Sequence, residues 1–142
     1  MVVTVGIPGS GKTTWVRTQT NFKIVSLDEI RSELSNVSDQ SNNDKVYFIS
    51  QDRAREYLTQ GFDVIFDSTG LGKGMLRKLR LLAEQTNSTI EYKIFHCTLE
   101  DAKERIRRDI QNNIDRANVP DSVIEYLYNR FILVTKNLKE TT

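Results

Sequence analysis

An α/β chain with a parallel sheet covered on both faces by helices is the fold class this sequence predicts, and three observations lead there. Four short apolar runs, at 2–5, 23–26, 62–66 and 89–97, alternate with stretches of helical periodicity. The first run ends on the octapeptide Gly6-Ile7-Pro8-Gly9-Ser10-Gly11-Lys12-Thr13, a G-x-x-x-x-G-K-T loop with a helical pattern directly after it. Strands separated by helices are joined by crossovers and therefore run parallel, with their carboxyl ends along one edge.

The elements follow in order. Val2-Val3-Thr4-Val5 is the first strand, and a helix from Thr13 to about residue 20 follows the loop. Lys23 to Ser26 is a second short strand. Leu27 to Leu34 reads as a helix, with Ile30 and Leu34 four apart on one face, and the polar run 35–43 reads as a loop inside the domain. A helix over 44–60 carries Tyr47, Ser50, Ala54, Tyr57 and Leu58 as its inner stripe and is ended by Gly61. The strand 62–66 closes on Asp67-Ser68-Thr69-Gly70, and a helix over 73–84 buries Met75, Leu76, Leu79 and Leu82. After the strand 89–97, Leu99, Ala102, Ile106 and Ile110 line a helix that ends in the polar segment 111–118. Pro120 opens a last helix carrying Val123, Ile124, Leu127, Phe131 and Leu133.

Length and composition narrow the classes. The 142 residues are one domain's worth of chain, and a net charge of +1 puts any nucleic-acid binding on a local basic patch rather than on bulk charge. A single cysteine, Cys97, excludes an intramolecular disulfide and a C-x-x-C metal site, and its apolar neighbours make it a small strand filler. No stretch is apolar enough to span a bilayer and no basic-then-apolar leader precedes the first strand, so a cytoplasmic protein without membrane partners is expected.

The candidate site is read from the loop outward. Gly6, Gly9 and Gly11 permit backbone conformations in which successive N–H groups turn inward around phosphates, with Pro8, Ser10 and Thr14 completing the cradle. Lys12 supplies a mobile charge for the β- and γ-phosphates, and the Thr13 hydroxyl suits Mg²⁺, so the expected cofactors are ATP and Mg²⁺. Asp67, at the end of an apolar strand, is where phosphate-loop enzymes place an acid near the metal, although a turn or cap aspartate has the same look. Haloacid-dehalogenase-type phosphatases also end an apolar strand on aspartate, but they carry a second acid where this chain has Thr69. Asp28 is either a helix-capping residue, within a Ser26/Glu29 capping box, or the carboxylate that takes a proton from an attacking hydroxyl. Arg31, one turn on, either holds an acceptor phosphate or is solvated. Lys103, Arg105, Arg107 and Arg108 form the densest basic cluster, in which Arg105 and Arg108 share a face that reaches over the triphosphate or pairs with its own acids. Lys73, Arg77 and Arg80 form a second stripe, either solvated or a nucleic-acid track.

Residues 6–15, Leu27-Asp28-Glu29-Ile30-Arg31, Asp67-Ser68-Thr69-Gly70-Leu71, the Arg-rich helix and Val119-Pro120 together resemble the kinase domain of phage-type polynucleotide 5′-kinases. The resemblance spans nearly the whole chain. It implies a single P-loop NTPase domain over 1–142, with a four-stranded parallel sheet in the order 2-3-1-4 and an Arg-bearing lid at about 105–119. It implies ATP-dependent phosphorylation of a nucleic-acid 5′-hydroxyl end, DNA or RNA, in the cytoplasm, which for a virus-encoded enzyme is that of the host. Lys12 and Thr13 would handle phosphates and Mg²⁺, and Asp28 would be the base. Arg31 and Thr69 would contact the acceptor, Asp67 would assist the metal, and Arg105, Arg108 or Arg116 would complete the clamp on the γ-phosphate. Two departures stand out. Asp109 occupies the position four after Arg105, where relatives carry a second lid arginine, and Gly70 replaces the usual asparagine. No phosphatase segment is present, so the expectation is a kinase without 3′-end repair. A P-loop kinase of a metabolite, nucleoside or nucleotide and a nucleotide-dependent binding module are the competing readings.

Overall fold

A computed structural model describes residues 1–34, 43–112, 114, 119–136 and 138. Four strands, β1 (Val2–Val5), β2 (Lys23–Ser26), β3 (Val64–Asp67) and β4 (Glu91–Ile94), form one parallel sheet in the order β2-β3-β1-β4. The expected strand order is therefore found. Six helices join them among the described residues: α1 (Lys12–Thr18), α2 (Leu27–Leu34), α3 (Asn43–Thr59), α4 (Met75–Gln85), α5 (Leu99–Gln111) and α6 (Asp121–Thr135).

Alternation along the strands decides which residues face which layer. The register pairs Val3 with Phe66 and Val25 with Phe66, and sets Val5 beside Ile94, so these side chains share one face. There Val3, Val25, Val64 and Phe66 pack against Ile30, Val46, Ala54, Leu58 and the Met75/Leu79/Leu82 stripe of α4. Val5 and Ile94 continue the layer toward Ala102, Ile106, Ile124 and Phe131 of α5 and α6. Residues of the other parity face α1. On that side Trp15 meets Phe95 edge-on at 5.6 Å, and the Lys93 ammonium lies 5.7 Å from the indole centroid.

Several boundaries differ from expectation. β3 begins two residues later than 62 and ends on Asp67, so the acid is the last strand residue rather than the first of a turn. β4 is shorter than 89–97 because its pairing with β1 stops at Ile94. α4 starts at Met75 rather than 73, its left-handed cap Gly74 (φ 74°) being outside the helix. On α6 only Ile124 and Phe131, two turns apart on one line, are buried; Val123 and Leu133 sit off that line and are exposed. Loop 35–43 lies outside the described residues except for Asn43, which opens α3. No described helix is long and apolar enough to cross a membrane.

Three bonds hold this edge of the sheet. The buried Thr4 hydroxyl donates to the Ser68 carbonyl at 2.7 Å and accepts from the Ser68 amide at 3.0 Å. The Gly6 amide donates to the Thr69 carbonyl at 3.0 Å. The exits of β1 and β3 are thus stitched together just beyond the sheet, and Ser26 of β2 lies in register with Asp67.

Candidate functional site

The phosphate loop owes its shape to two glycines in the left-handed region, Gly9 (φ 82°) and Gly11 (φ 98°). Gly9 is also a close approach, since a Cβ there would lie 2.6 Å from the Ala102 carbonyl oxygen of α5. Gly11 caps α1 with no side-chain hydrogen bond, which leaves first-turn amides for another acceptor. Lys12 Nζ donates to the Gly6 and Ile7 carbonyls at 2.8 and 2.9 Å, holding its charge across the loop. Ser10 Oγ is buried with no hydrogen-bond partner, Pro8 is half-buried, and Thr13 and Thr14 are exposed. The orphaned hydroxyl, left-handed backbone and uncapped helix start fit an oxygen-rich anion. The Thr13 hydroxyl and Asp67 carboxylate are hard oxygen donors of the kind Mg²⁺ takes.

Asp67 is half-buried at the tip of β3, with Oδ1 at 3.5 Å from the Thr4 hydroxyl. Burial raises its pKa above the ordinary carboxylate range, Lys12 opposes that rise, and the charge of Asp28 adds to it. Both Lys12 and Asp28 therefore lie within electrostatic reach of Asp67, although the three are far apart in sequence. The raised pKa means that the folded state holds the proton more tightly than the unfolded state does. The associated stability is present at acid pH and is lost as pH rises through the folded-state pKa. Asp67→Asn is expected to raise the melting temperature of the ligand-free protein at pH 7–8, and the gain should shrink as pH falls into the ordinary carboxylate range. Thermal melts of both proteins between pH 4 and 8 check this; a melting temperature unchanged or lowered at pH 8 would contradict it.

At the tip of β2, Ser26 Oγ accepts from the Glu29 amide at 3.2 Å and so caps α2. Asp28 is left for another task. Its carboxylate, with the side chain 64% exposed, accepts from Arg31 Nη1 at 2.7 Å, while the Arg31 side chain is only 10% exposed. Arg31 Nη2 donates to Asn43 Oδ1 at 3.3 Å, and its Nε is buried with no partner. Tyr47, expected in the inner stripe of α3, is half-buried and near Arg31; burial pushes its hydroxyl pKa up and the guanidinium opposes that. A Cβ on Gly72 would come 2.6 Å from the Tyr47 hydroxyl, so this tyrosine bridges α2 and the loop after β3. Thr69 serves that loop, its hydroxyl accepting from the Leu71 amide at 3.3 Å.

The arginines separate. Arg105 Nη1 donates to the Gly9 carbonyl at 3.2 Å and so reaches the phosphate loop. Arg108 is exposed and lies 3.7 Å from Glu104, the surface pairing its spacing allows. Arg116 lies outside the described residues. Cys97, just past the end of β4, is half-buried with a pKa raised by burial. Three contributors escaped the sequence: Thr4, hidden in an apolar run; Tyr47, read as core; and Arg130, whose Nε and Nη2 donate to the Leu71 carbonyl at 3.0 and 2.9 Å.

The family profile described as an AAA domain matches residues 1–133, and the chain belongs to that family. No curated protein sequence gave a significant match. Among solved structures, a chain of the Pnkp1/Rnl/Hen1 RNA repair complex is similar over 97% of this chain and 45% of its own, with TM-score 0.84 and 22% identity. A protein described as a kinase from Chloroflexus aurantiacus J-10-fl is similar over 91% of this chain and 77% of its own (TM-score 0.71, 18% identity). A gluconokinase from Sinorhizobium meliloti 1021 is similar over 91% and 73% respectively (TM-score 0.57, 16% identity). This chain spans less than half the length of the repair-complex chain. At these identities the likeness establishes the fold, that of a P-loop kinase.

Proposed function

We propose, taking the AAA domain family and its P-loop kinase fold as the premise, that this chain transfers the γ-phosphate of ATP to a 5′-hydroxyl end of a nucleic acid. The observation that carries the reading is the Asp28–Arg31 pair, an exposed carboxylate held at 2.7 Å by a buried guanidinium at the tip of β2. A carboxylate beside a guanidinium offers both a base for a hydroxyl and a clamp for the phosphate next to it, which is what a nucleotide acceptor presents. Likeness to a chain of an RNA repair complex points the same way.

In this reading the amides of residues 9–14 and the Lys12 ammonium bind the donor phosphates. Arg105, anchored on the Gly9 carbonyl, takes the lid role and sets positive charge where negative charge grows during transfer. Asp28 accepts the proton as the acceptor O–H bond breaks; a new P–O bond forms while the bond to the departing ADP breaks. Arg31 steadies the Asp28 carboxylate and holds the acceptor phosphate. Mg²⁺, which Thr13 and Asp67 would hold, supplies neutralisation of the transferring group's charge.

Incubation with γ-labelled ATP and separate acceptors tests the proposal: 5′-hydroxyl oligonucleotides, 5′-phosphorylated controls, free nucleosides, nucleoside 5′-monophosphates and sugar acids. Label confined to the 5′-hydroxyl oligonucleotides is expected. Label on a free nucleoside or sugar acid, with none on oligonucleotides, would replace it with a small-molecule kinase.

A further inference from the structure

A groove of about 290 Å³ opens between the start of α4 and the second half of α6. Its lining includes the exposed Gly72 and Gly74 and the buried Gly70, and its charged lining is Arg77, Arg80 and Arg130. Among the described residues no carboxylate lines it. Among the described residues Arg77 makes no hydrogen bond or ion pair, and Arg80 makes one long bond, from Nη1 to the Tyr92 hydroxyl at 3.4 Å. Arg130 is fixed by its two bonds to the Leu71 carbonyl. Three guanidinium groups that neither pair with acid nor lie near one in the lining repel each other until an anion comes between them.

We propose that this groove is the track for the phosphodiester backbone of the acceptor strand beyond its 5′-terminal nucleotide; this rests on the polynucleotide reading above. Three features carry it. First, Gly74, where an added Cβ would meet nothing within 4 Å, lets a backbone phosphate approach the main chain, and it caps α4 with no side-chain hydrogen bond, only the Met75 amide being taken up, by the Gly72 carbonyl at 3.1 Å. Second, Arg77 and Arg80 stand on one face of α4 one turn apart, so an extended strand meets them in succession. Third, the groove continues the acceptor side of the site. Its lining residue Gly72 abuts the Tyr47 hydroxyl, Tyr47 neighbours Arg31, and the same loop leads back to Asp67. Leu76 and Val134 add an apolar wall suited to the sugar. The larger groove between α5 and α6, lined by Glu100, Asp101, Glu104 and Asp121 with Lys103 and Arg107, carries excess negative charge and repels a nucleic acid.

The test compares wild type with the double variant Arg77→Gln/Arg80→Gln, both positions being exposed and outside the proposed catalytic residues. The acceptors are a nucleoside 3′-phosphate and a 20-nucleotide single strand with a 5′-hydroxyl. Expected for the variant are kinetics within about twofold of wild type on the short acceptor and a roughly tenfold or greater rise in KM on the long one. Its log KM should also depend less on log salt, with a slope smaller by about 1.4, from roughly 0.7 per phosphate contact on a single strand. Arg77→Lys/Arg80→Lys should restore most of that slope. Unchanged KM and slope on the long strand, or equal losses on both acceptors, would overturn the groove. Fluorescence anisotropy of the labelled 20-mer without ATP reads the groove separately from transfer. If wild type phosphorylates no 5′-hydroxyl end, the kinase reading falls. Binding weakened tenfold by the double variant would still support the groove, and binding that is absent or unaffected would refute it.

Discussion

Asp28→Asn should lower phosphoryl transfer by about 10²–10⁴-fold while leaving ATP affinity within about twofold of wild type. The substitution keeps the shape of the side chain and an oxygen that accepts from Arg31, so the 2.7 Å contact has a neutral replacement and the buried guanidinium is not stranded. What it removes is the capacity to take a proton. A loss of that size corresponds to about 3–5.5 kcal/mol of transition-state stabilisation at about 1.36 kcal/mol per decade. It should appear in kcat rather than in the nucleotide KM, because Asp28, the proposed base, lies in α2 and not in the loop. Arg31→Gln makes the informative contrast, with a rise in acceptor KM and a smaller fall in kcat. Steady-state kinetics with γ-labelled ATP and nucleotide titrations of both variants provide the comparison, and normal turnover by Asp28→Asn would remove this residue from the mechanism.

Gly9→Ala should be the most damaging single methyl in the chain. At φ 82° an alanine carries backbone strain of about 1–3 kcal/mol, and its Cβ would lie 2.6 Å from the Ala102 carbonyl oxygen. That neighbour is main chain inside α5 and cannot rotate away, so relief requires the loop and the helix to part, at a further cost of about 1–3 kcal/mol. The sum is a large share of the roughly 5–15 kcal/mol that holds a typical domain together. Gly11→Ala separates strain from clash. It has φ 98°, but its Cβ would meet only the Arg105 guanidinium, at 3.5 Å. Both variants should bind ATP poorly, and thermal melts should show Gly9→Ala losing about twice as much stability as Gly11→Ala. Equal losses would mean that α5 does not support the loop as described.

The parts of this account that sequence alone made legible are local in the chain. The octapeptide from Gly6 to Thr13 declares itself by spacing, and alternating apolar runs and helical patterns lead to a parallel sheet whose observed order is β2-β3-β1-β4. Asp28 and Asp67 were legible as residues just past, or at, strand ends. The rest depends on which distant surfaces meet. Tyr47 has the spacing of a core residue, and only the approach of Gly72 and Arg31 shows that its hydroxyl sits between α2 and the loop after β3. Arg130 lies in a helix with no motif, and its bonds to Leu71 link residues 59 apart in sequence. Arg105 and Arg108 looked equivalent on a helical wheel. The packing of α5 on the loop, with Ala102 against Gly9, sends Arg105 to the loop and leaves Arg108 with Glu104. Val123 and Leu133 of α6 look like core residues by composition and are exposed because the helix buries a single narrow line.

The central claim is spatial: the tips of β1, β2 and β3 share one rim, with both acids beside the bound nucleotide. Paramagnetic broadening of amide signals by Mn²⁺·ATP in the isotope-labelled protein measures it directly, because the effect falls steeply with distance from the ion. The account predicts that the signals of Thr13, Asp28 and Asp67 disappear together while those of Asp63 and Glu91, at the opposite ends of β3 and β4, persist. Survival of the Asp28 signal alongside loss of Thr13 would contradict it.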